Sequence, residues 1–406
     1  MIANENDYVI EVLDSPLDID PVLWNSLLAC QEQANPFMRH EYLAAMHQSA
    51  SASTKTGWTP RFITLWKINR ATQAGDPPAR ELHGACALYL KAHSYGEYVF
   101  DHAWANAYHQ HGLAYYPKAL IAPPFTPVPG ARLLARDAGV RLALVKAVIG
   151  WCETAGLSSL HILFASDADM LACVAAGMMV RHNVQFHWTA PPGGYRDFDA
   201  FLMSLSQEKR KKIRQERRKV AQSGVGFRSA RGGAISAHDW DFFYRCYERT
   251  YYEHGNAPYL SRDFFHHMAQ AMPENWLLFV AQRDGTPIAS SLVALNDPDT
   301  APDSGAVAYG RYWGALERVD CLHFEACYYQ PLEWCIANGF DRFEGGAQGE
   351  HKMARALLPV KTRSAHWLAH PAFADAVQQF LDRESNGMER YIGELEQRNP
   401  FKSIAK

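Results

Sequence analysis

Residues 344–352 read EGGAQGEHK, three glycines set among groups that can accept, donate or carry charge. Glycine reaches backbone dihedrals closed to other residues and lets a ligand approach the main chain closely. A loop of this kind after a buried strand is a place where function collects. Glu344, Gln348, Glu350, His351 and Lys352 offer carboxylates, an amide, an imidazole that titrates near neutral pH and an ammonium. The same stretch also fits a polar turn that glycine merely loosens. Upstream, YGRYWG from Tyr309 alternates as a strand, which puts Tyr309, Arg311 and Trp313 on one face. An arginine between aromatics suits either a core edge or an anionic ligand.

Two other clusters could do chemistry. Residues 207–219, QEKRKKIRQERRK, carry eight basic and two acidic side chains. Only Ile213 and Val220 are large and apolar along this helix, so its buried stripe is narrow and Lys212, Arg214, Arg218 and their neighbours surround it. A solvated face laced by i,i+4 pairs is one reading. Contact with phosphates, which arginine forks grip bidentately, is the other. In the first half, His93, Tyr95, Asp101 and Trp104 belong to an aromatic and acidic loop after a strand. It suits an acceptor with a cationic amine and equally suits packing between domains.

The elements that must position these groups repeat. WCETAGLSSLHILF from Trp151 and WCIANGFDRFEGG from Trp334 both run Trp-Cys, three residues, Gly, a large apolar residue, two polar residues and another large apolar residue. Each follows an apolar-periodic run, which predicts a helix closed by glycine and then a buried strand. Upstream of each lies a strand, a turn and another strand. Asp284-Gly285 marks a tight hairpin in the second half, and a longer excursion over residues 69–80 takes its place in the first. Two tandem α/β units follow, joined near residues 191–194, with domains over 1–195 and 196–406. The second opens with an amphipathic helix on Phe198, Phe201, Leu202 and Leu205; Ser204 or Ser206 can cap the basic helix after it, and Gly224 ends that helix.

Composition bounds the rest. A chain of 406 residues with 48% hydrophobic content can fill two cores. A formal charge of -3 argues against a protein that coats nucleic acid, so an anionic partner must be met locally. Acids near the N-terminus and no apolar core there argue against export. The most apolar helical stretch, residues 141–152, is broken by Lys146 and too short to span a bilayer, so a cytoplasmic protein without a membrane span is expected. Eight cysteines form no CxxC pair and no HExxH occurs, so neither a disulfide framework nor a metal site is expected.

The stretch SLSQEKRKKIRQERRKVAQSGVGF resembles the FemABX transferase segment basic-Asn-Ile-basic-x-x-x-basic-x-Gly-Val, with Ile213 and Val225 matching and Lys212 where asparagine often stands. DWDFFYRCYERTYYEHGNAPYLSRDFF, HFEACYYQPLEWCIANGFDRFEGGAQGEHKMARALLP, YLKAHSYGEYVFDHAWANAY and APPFTPVPGARLL are similar to a bacterial family of Fem-like predicted N-acyltransferases. That resemblance covers nearly the whole chain. It implies an α/β protein of two tandem GNAT-like (acyl-CoA N-acyltransferase, FemABX-type) domains, with mixed central sheets flanked by helices, and transfer of an acyl or aminoacyl group to an amine.

Roles follow, from the resemblance for Lys352 and from the chemistry of the side chains for the others. Lys352 stands where a lysine follows the corresponding strand in Fem enzymes and would stabilise an oxyanion or hold a phosphate, while Glu350 and His351 relay the amine proton. Arg311 and Gly314, with Lys212, Arg214 and Arg218, would hold the donor. RYWGAL, from Arg311, nearly matches the coenzyme A signature but lacks its final small residue. His93, Tyr95, Asp101, Trp104, Trp313, Glu325, Glu344 and Gln348 would hold an amine-bearing small molecule or peptide. No tightly bound cofactor is expected; acyl-CoA is the first co-substrate and aminoacyl-tRNA the alternative, the latter serving a peptidoglycan precursor or peptide. A non-catalytic GNAT-like scaffold or RNA-binding module is the third reading. No heptad hairpin of the kind some Fem proteins insert is present, and the sequence does not name an oligomeric state.

Overall fold

Asp284 and Gly285 both take left-handed dihedrals, φ 49° and 76°, and close a two-residue hairpin in which Thr286 pairs with Arg283. The glycines of the repeat do parallel work. Gly156 (φ 66°) and Gly339 (φ 71°) end the two Trp-Cys helices, and the cysteines of the motif, Cys152 and Cys335, are buried beneath them. The computed structural model describes residues 8–68, 80–296, 305–347 and 349–402. The excursion expected from residue 69 lies outside the described residues up to residue 79, and so does Gln348.

Contacts divide the chain into two units, Met1–Asn183 with Thr362–Met388, and Val184–Lys361 with Glu389–Lys406. The passage from the first to the second falls inside a strand, and a later segment returns to the first. This differs in form from a linear division at residues 195/196, because strand exchange leaves no local mark in sequence.

The strands are β1 (Tyr8–Leu13), β2 (Trp58–Ile68), β3 (Arg80–Lys91), β4 (Lys118–Ile121), β5 (Leu134–Ala135), β6 (Ser159–Ile162), β7 (Met179–Thr189), β8 (Val225–Arg231), β9 (Trp276–Arg283), β10 (Thr286–Asn296), β11 (Val307–Ala315), β12 (Arg342–Glu344) and β13 (Leu358–Leu368). In the first unit the order is β1-β2-β3-β4-β6-β13, and in the second it is β8-β9-β10-β11-β12-β7. The pairings match one for one. Among these pairings within the two units, β4 with β6 and β11 with β12 are parallel; β13 pairs antiparallel with β6, and β7 with β12. Each parallel pair is joined by a helical crossover, as parallel strands require.

Helices α1 (Pro21–Ala29), α2 (His40–Gln48), α3 (His102–Gln110), α4 (Ala138–Thr154) and α5 (Asp167–Ala175) belong to the first unit. The second has α6 (Phe198–Ser204), α7 (Gln207–Gln222), α8 (Ala237–Glu253), α9 (Arg262–Ala271), a short turn α10 (Leu322–Phe324), a π-helical turn (Glu325–Tyr329) and α11 (Gln330–Ala337). Helix α12 (Pro371–Glu396) carries the chain from one unit to the other. The first core gathers Ile63, Leu88, Ile121, Leu144, Cys152 and Ile162, and the second gathers Trp188, Phe201, Phe279, Leu332, Cys335 and Phe343. Among the described residues no helix is long and apolar enough to cross a membrane.

Candidate active site

The basic helix is α7, with Ser206 at its N-cap position but making no side-chain cap; the Ser204 hydroxyl is turned to the Phe201 carbonyl. Ile213, Glu216 and Val220 form its buried side. Three acids from outside the helix answer part of its charge. Arg214 pairs with Asp199 at 3.2 Å, and Arg217 with Glu325 at 3.0 Å and Glu333 at 2.6 Å. The two glutamates of the helix are therefore not its only counter-charges. Lys211, Lys212, Arg218 and Lys219 stay exposed, with no carboxylate within 4.0 Å among the described residues. Arg214, Arg217 and Arg218 line a groove of about 810 Å³ with Asp197, Asp199 and Glu333, so both signs of charge border it. Lys212 faces away from it.

The opening that resembles a reaction site lies at β11. Leu292 pairs with Tyr312 and Val293 with Gly310, which leaves Arg311 as the extra residue of a β-bulge. The bulge breaks the simple alternation expected of this strand: Arg311 and Trp313 line a cavity of about 130 Å³, whereas Tyr309 is buried and does not. β12 pairs with β11 only as far as Tyr309 and Glu344; the next residue, Gly345, turns its N–H to the Phe186 carbonyl at 3.4 Å. The strands part there. Ser291, His323, Cys327, Tyr328 and Gly345 are among the other residues that line it. A second cavity of about 430 Å³ shares Trp313 and His323 with the first and adds Arg249, Glu317, Arg318 and Leu322. Gly314 does not open toward it: a Cβ there would lie 1.9 Å from the Cys246 carbonyl oxygen of α8. Its glycine serves helix packing, and its position in β11 is not the helix start that phosphate binding would use.

The glycine loop folds inward. Lys352 is 3% exposed, and its Nζ donates to the Gly346 carbonyl at 2.8 Å. No carboxylate lies within 4.0 Å of it among the described residues. A Cβ built on Gly346 would lie 3.9 Å from this Nζ and 3.8 Å from the Gly310 oxygen, which places the ammonium against the parted strands. Burial pushes its pKa down to about 8, with Cys327 opposing. His351 is exposed and meets the Tyr328 hydroxyl at 3.2 Å through Nε2. Burial first, then Lys352 and Arg355, hold His351 below its ordinary value; burial first, then His351, Arg355 and Lys352, push His323 down to about 4. Tyr328 is raised by burial. Both imidazoles are thus neutral at pH 7. Glu350 stands apart, tied to Tyr391 at 2.8 Å and Arg398 at 3.1 Å on the surface. Glu344 is buried, accepts from Arg342 at 3.0 Å and lies 3.8 Å from His187; Glu325 is buried against Arg217.

Of the expected residues, Arg311 and Trp313 line the cavity, Lys352 packs against its Gly345 and His351 reaches its Tyr328, while Glu350, Glu325, Lys212, Arg214 and Arg218 lie elsewhere. The structure adds Tyr328, His323 and Cys327, which the sequence reading assigned no role. Two tyrosines within an apolar helical stripe were the available signal.

In the first unit, His93 bonds the Thr56 carbonyl at 3.2 Å and Tyr95 is exposed. Asp101 and Trp104 are buried and used internally. Asp101 accepts from Lys118 and, at 2.6 Å, from Tyr115, while Trp104 packs 5.0 Å from His366 and under Arg181 at 5.5 Å. Those two side chains are core, not ligands for an acceptor. Among the described residues no cluster of His, Cys, Asp or Glu could hold a metal.

Two units of one topology, each with one parallel pair among its described strands, and one of them parted beyond that pair, make a tandem GNAT-like fold. The chain belongs to the FemAB-like family, described by peptidoglycan biosynthesis/recognition, whose model matches residues 15–403. Among solved structures, L-PGS from Bacillus licheniformis shares 8% identity over 91% of this chain and 99% of its own, with a TM-score of 0.51, a likeness of fold. A conserved protein of unknown function from Bacteroides thetaiotaomicron matches similarly, with 8% identity, 89% and 100% coverage and a TM-score of 0.50. A tandem GNAT protein from the clavulanic acid biosynthesis pathway shares 12% identity over 90% and 99% of the two chains, with a TM-score of 0.42. No curated protein sequence matches the chain.

Proposed function

We propose that the second unit transfers an acyl group from an activated donor to an amine, forming an amide where β11 and β12 part. The observation that carries this reading is Lys352, a buried ammonium without a carboxylate, fixed by the Gly346 carbonyl beside the cavity. A preorganised cation in a water-poor site stabilises the oxyanion of a tetrahedral intermediate at no cost of reorganisation. Tyr328 then accepts the amine's proton as its own passes to the neutral, exposed His351. As the tetrahedral intermediate collapses, the donor's C–S or C–O bond breaks and the departing thiolate or ribose oxygen takes up that proton, which leaves the amide and a thiol or hydroxyl. Arg311 and Trp313 border the donor, and an amine-bearing small molecule or peptide is the acceptor.

An acyl-CoA thioester is the first reading of the donor. The two cavities that share Trp313 and His323 form a track along β11, with Arg249 and Arg318 at its far end for phosphate. A cytoplasmic location goes with that donor. The exposed bases Lys211, Lys212, Arg218 and Lys219 favour a second reading, aminoacyl-tRNA as the donor to a peptidoglycan precursor or peptide. Calorimetry with coenzyme A thioesters at millimolar concentration, beside incubation with labelled aminoacyl-tRNA and candidate amines, separates them. Thioester binding with amide product supports the first, and tRNA-dependent product alone moves the donor to the second. A folded protein that binds neither and makes no amide refutes the proposal.

A further inference from the structure

Arg355 lies four residues beyond His351 and is 2% exposed. Its Nη2 donates to both oxygens of Glu216, at 3.2 and 3.1 Å, and its Nη1 to the His351 carbonyl at 2.8 Å. The guanidinium carbon sits 3.4 Å from the centre of the Phe324 ring. Glu216 also accepts from the Tyr329 hydroxyl. Three elements thus meet at one side chain: helix α7 through Glu216, the helical segment 322–329 through Phe324 and Tyr329, and the 3-10 turn Glu350–Arg355 through the His351 carbonyl. Arg355 does not line the cavity.

A buried ion pair is a costly way to fill space, since well-packed apolar side chains of similar volume stabilise a fold as well or better. What an apolar residue could not do is bond the His351 carbonyl and so fix the direction of the turn that carries His351 and Lys352. Its charge also helps keep His351 and His323 neutral.

We infer that Arg355, held by Glu216 and Tyr329, is the positioning residue of the lysine turn and couples helix α7 to the reacting centre. The inference rests on the reading of Lys352 as the oxyanion-stabilising group, but part of its test needs no substrate. The full chain carrying Arg355→Lys, Glu216→Gln or Tyr329→Phe is compared with wild type by NMR titration of reductively methylated Lys352, and by thermal unfolding. Arg355→Lys keeps the charge and loses the fork; Tyr329→Phe removes one bond and strands no charge, so it stays informative where the others fail to fold.

A loosened turn admits water. The Lys352 titration then moves from about 8 toward the ordinary lysine value of 10.5, furthest in Arg355→Lys and least in Tyr329→Phe. Transfer slows by up to about 10²-fold in kcat with KM little changed, the effect of a reactive group displaced by an ångström. Folded variants in which Lys352 titrates as in wild type overturn the inference, even where the melting temperature falls, because that is what a merely structural pair would do. Inert Lys352→Met overturns the functional reading instead, and leaves the titration result standing.

Discussion

The first unit buries two lysines, Lys91 and Lys118, and the second buries Lys352. Burial pushes Lys91, 3.9 Å from Glu97, down to about 7, whereas Lys118 and Lys352 are held in opposite ways. Lys118, at the start of β4, is fully enclosed and donates to Ser94 at 2.9 Å, to Glu97 at 2.8 Å and to Asp101. Burial works against its charge, but the two carboxylates outweigh burial and hold its pKa above the ordinary value. Lys352 has one carbonyl and no carboxylate, and burial prevails. The strand ends differ in the same sense. Beyond β4 and β6 the Leu163 N–H still reaches the Ile121 carbonyl at 3.1 Å, and the fully buried Arg132 bonds the Leu163 carbonyl at 2.8 Å, so no gap opens. Beyond β11 and β12 the chain turns away at Gly345. One topology, used twice, gives a closed unit in which two carboxylates hold Lys118 and an open unit in which Lys352 keeps a cation at the parted strands. A paired buried charge holds structure, whereas an unpaired one at a gap is available to a reaction.

The largest effect expected falls on the closed unit. Lys118→Met leaves Asp101 and Glu97 buried without their close cation, and chemical unfolding should show a loss of about 3–5 kcal/mol. A change below about 1 kcal/mol would remove the contrast between Lys118 and Lys352.

Next is the pH dependence of stability. Lys352 has a folded pKa of about 8 and an ordinary value of 10.5, so between these the folded state holds fewer protons than the unfolded one, and stability rises with pH across that window. The difference between wild type and Lys352→Met should move in wild type's favour by on the order of 3 kcal/mol from pH 8 to 10.5. A flat difference would mean that Lys352 is hydrated. Arg132→Met should cost about 2 kcal/mol by stranding the Leu163 and Val128 carbonyls, with no effect on transfer. A slowed reaction would bring the closed unit into the chemistry. Smallest is the solvated face of α7, where Lys211→Glu with Lys212→Glu should change stability by less than about 0.5 kcal/mol; a larger loss would show that these bases have folding partners.

What was legible in sequence was local. The Trp-Cys-x-x-x-Gly repeat, the Asp284-Gly285 hairpin and the narrow buried stripe of α7 depend on residues near one another in the chain, and their glycines take the left-handed dihedrals that the patterns demand. The rest depends on partners brought from afar. Nothing in a glycine-rich loop announces that Lys352 is buried, yet it is 3% exposed within the turn Glu350–Arg355. Arg355 escaped notice because its partner, Glu216, lies 139 residues away. The bulge at Arg311 shows only in the register with β10, and the exchange of β7 and β13 between units leaves no sequence signal at all.

The most direct test of the account is the rate of amide formation by wild type and Lys352→Met, with the donor that binds, followed from pH 6 to 10. With Lys352 charged and facing an oxyanion, wild-type turnover should fall as pH rises through about 8, and the methionine variant should be slower by about 10²-fold at neutral pH, flat through that region and undiminished in melting temperature. A wild-type rate that rises through pH 8 would make the neutral amine the active form, and a methionine variant as fast as wild type would contradict the central claim outright.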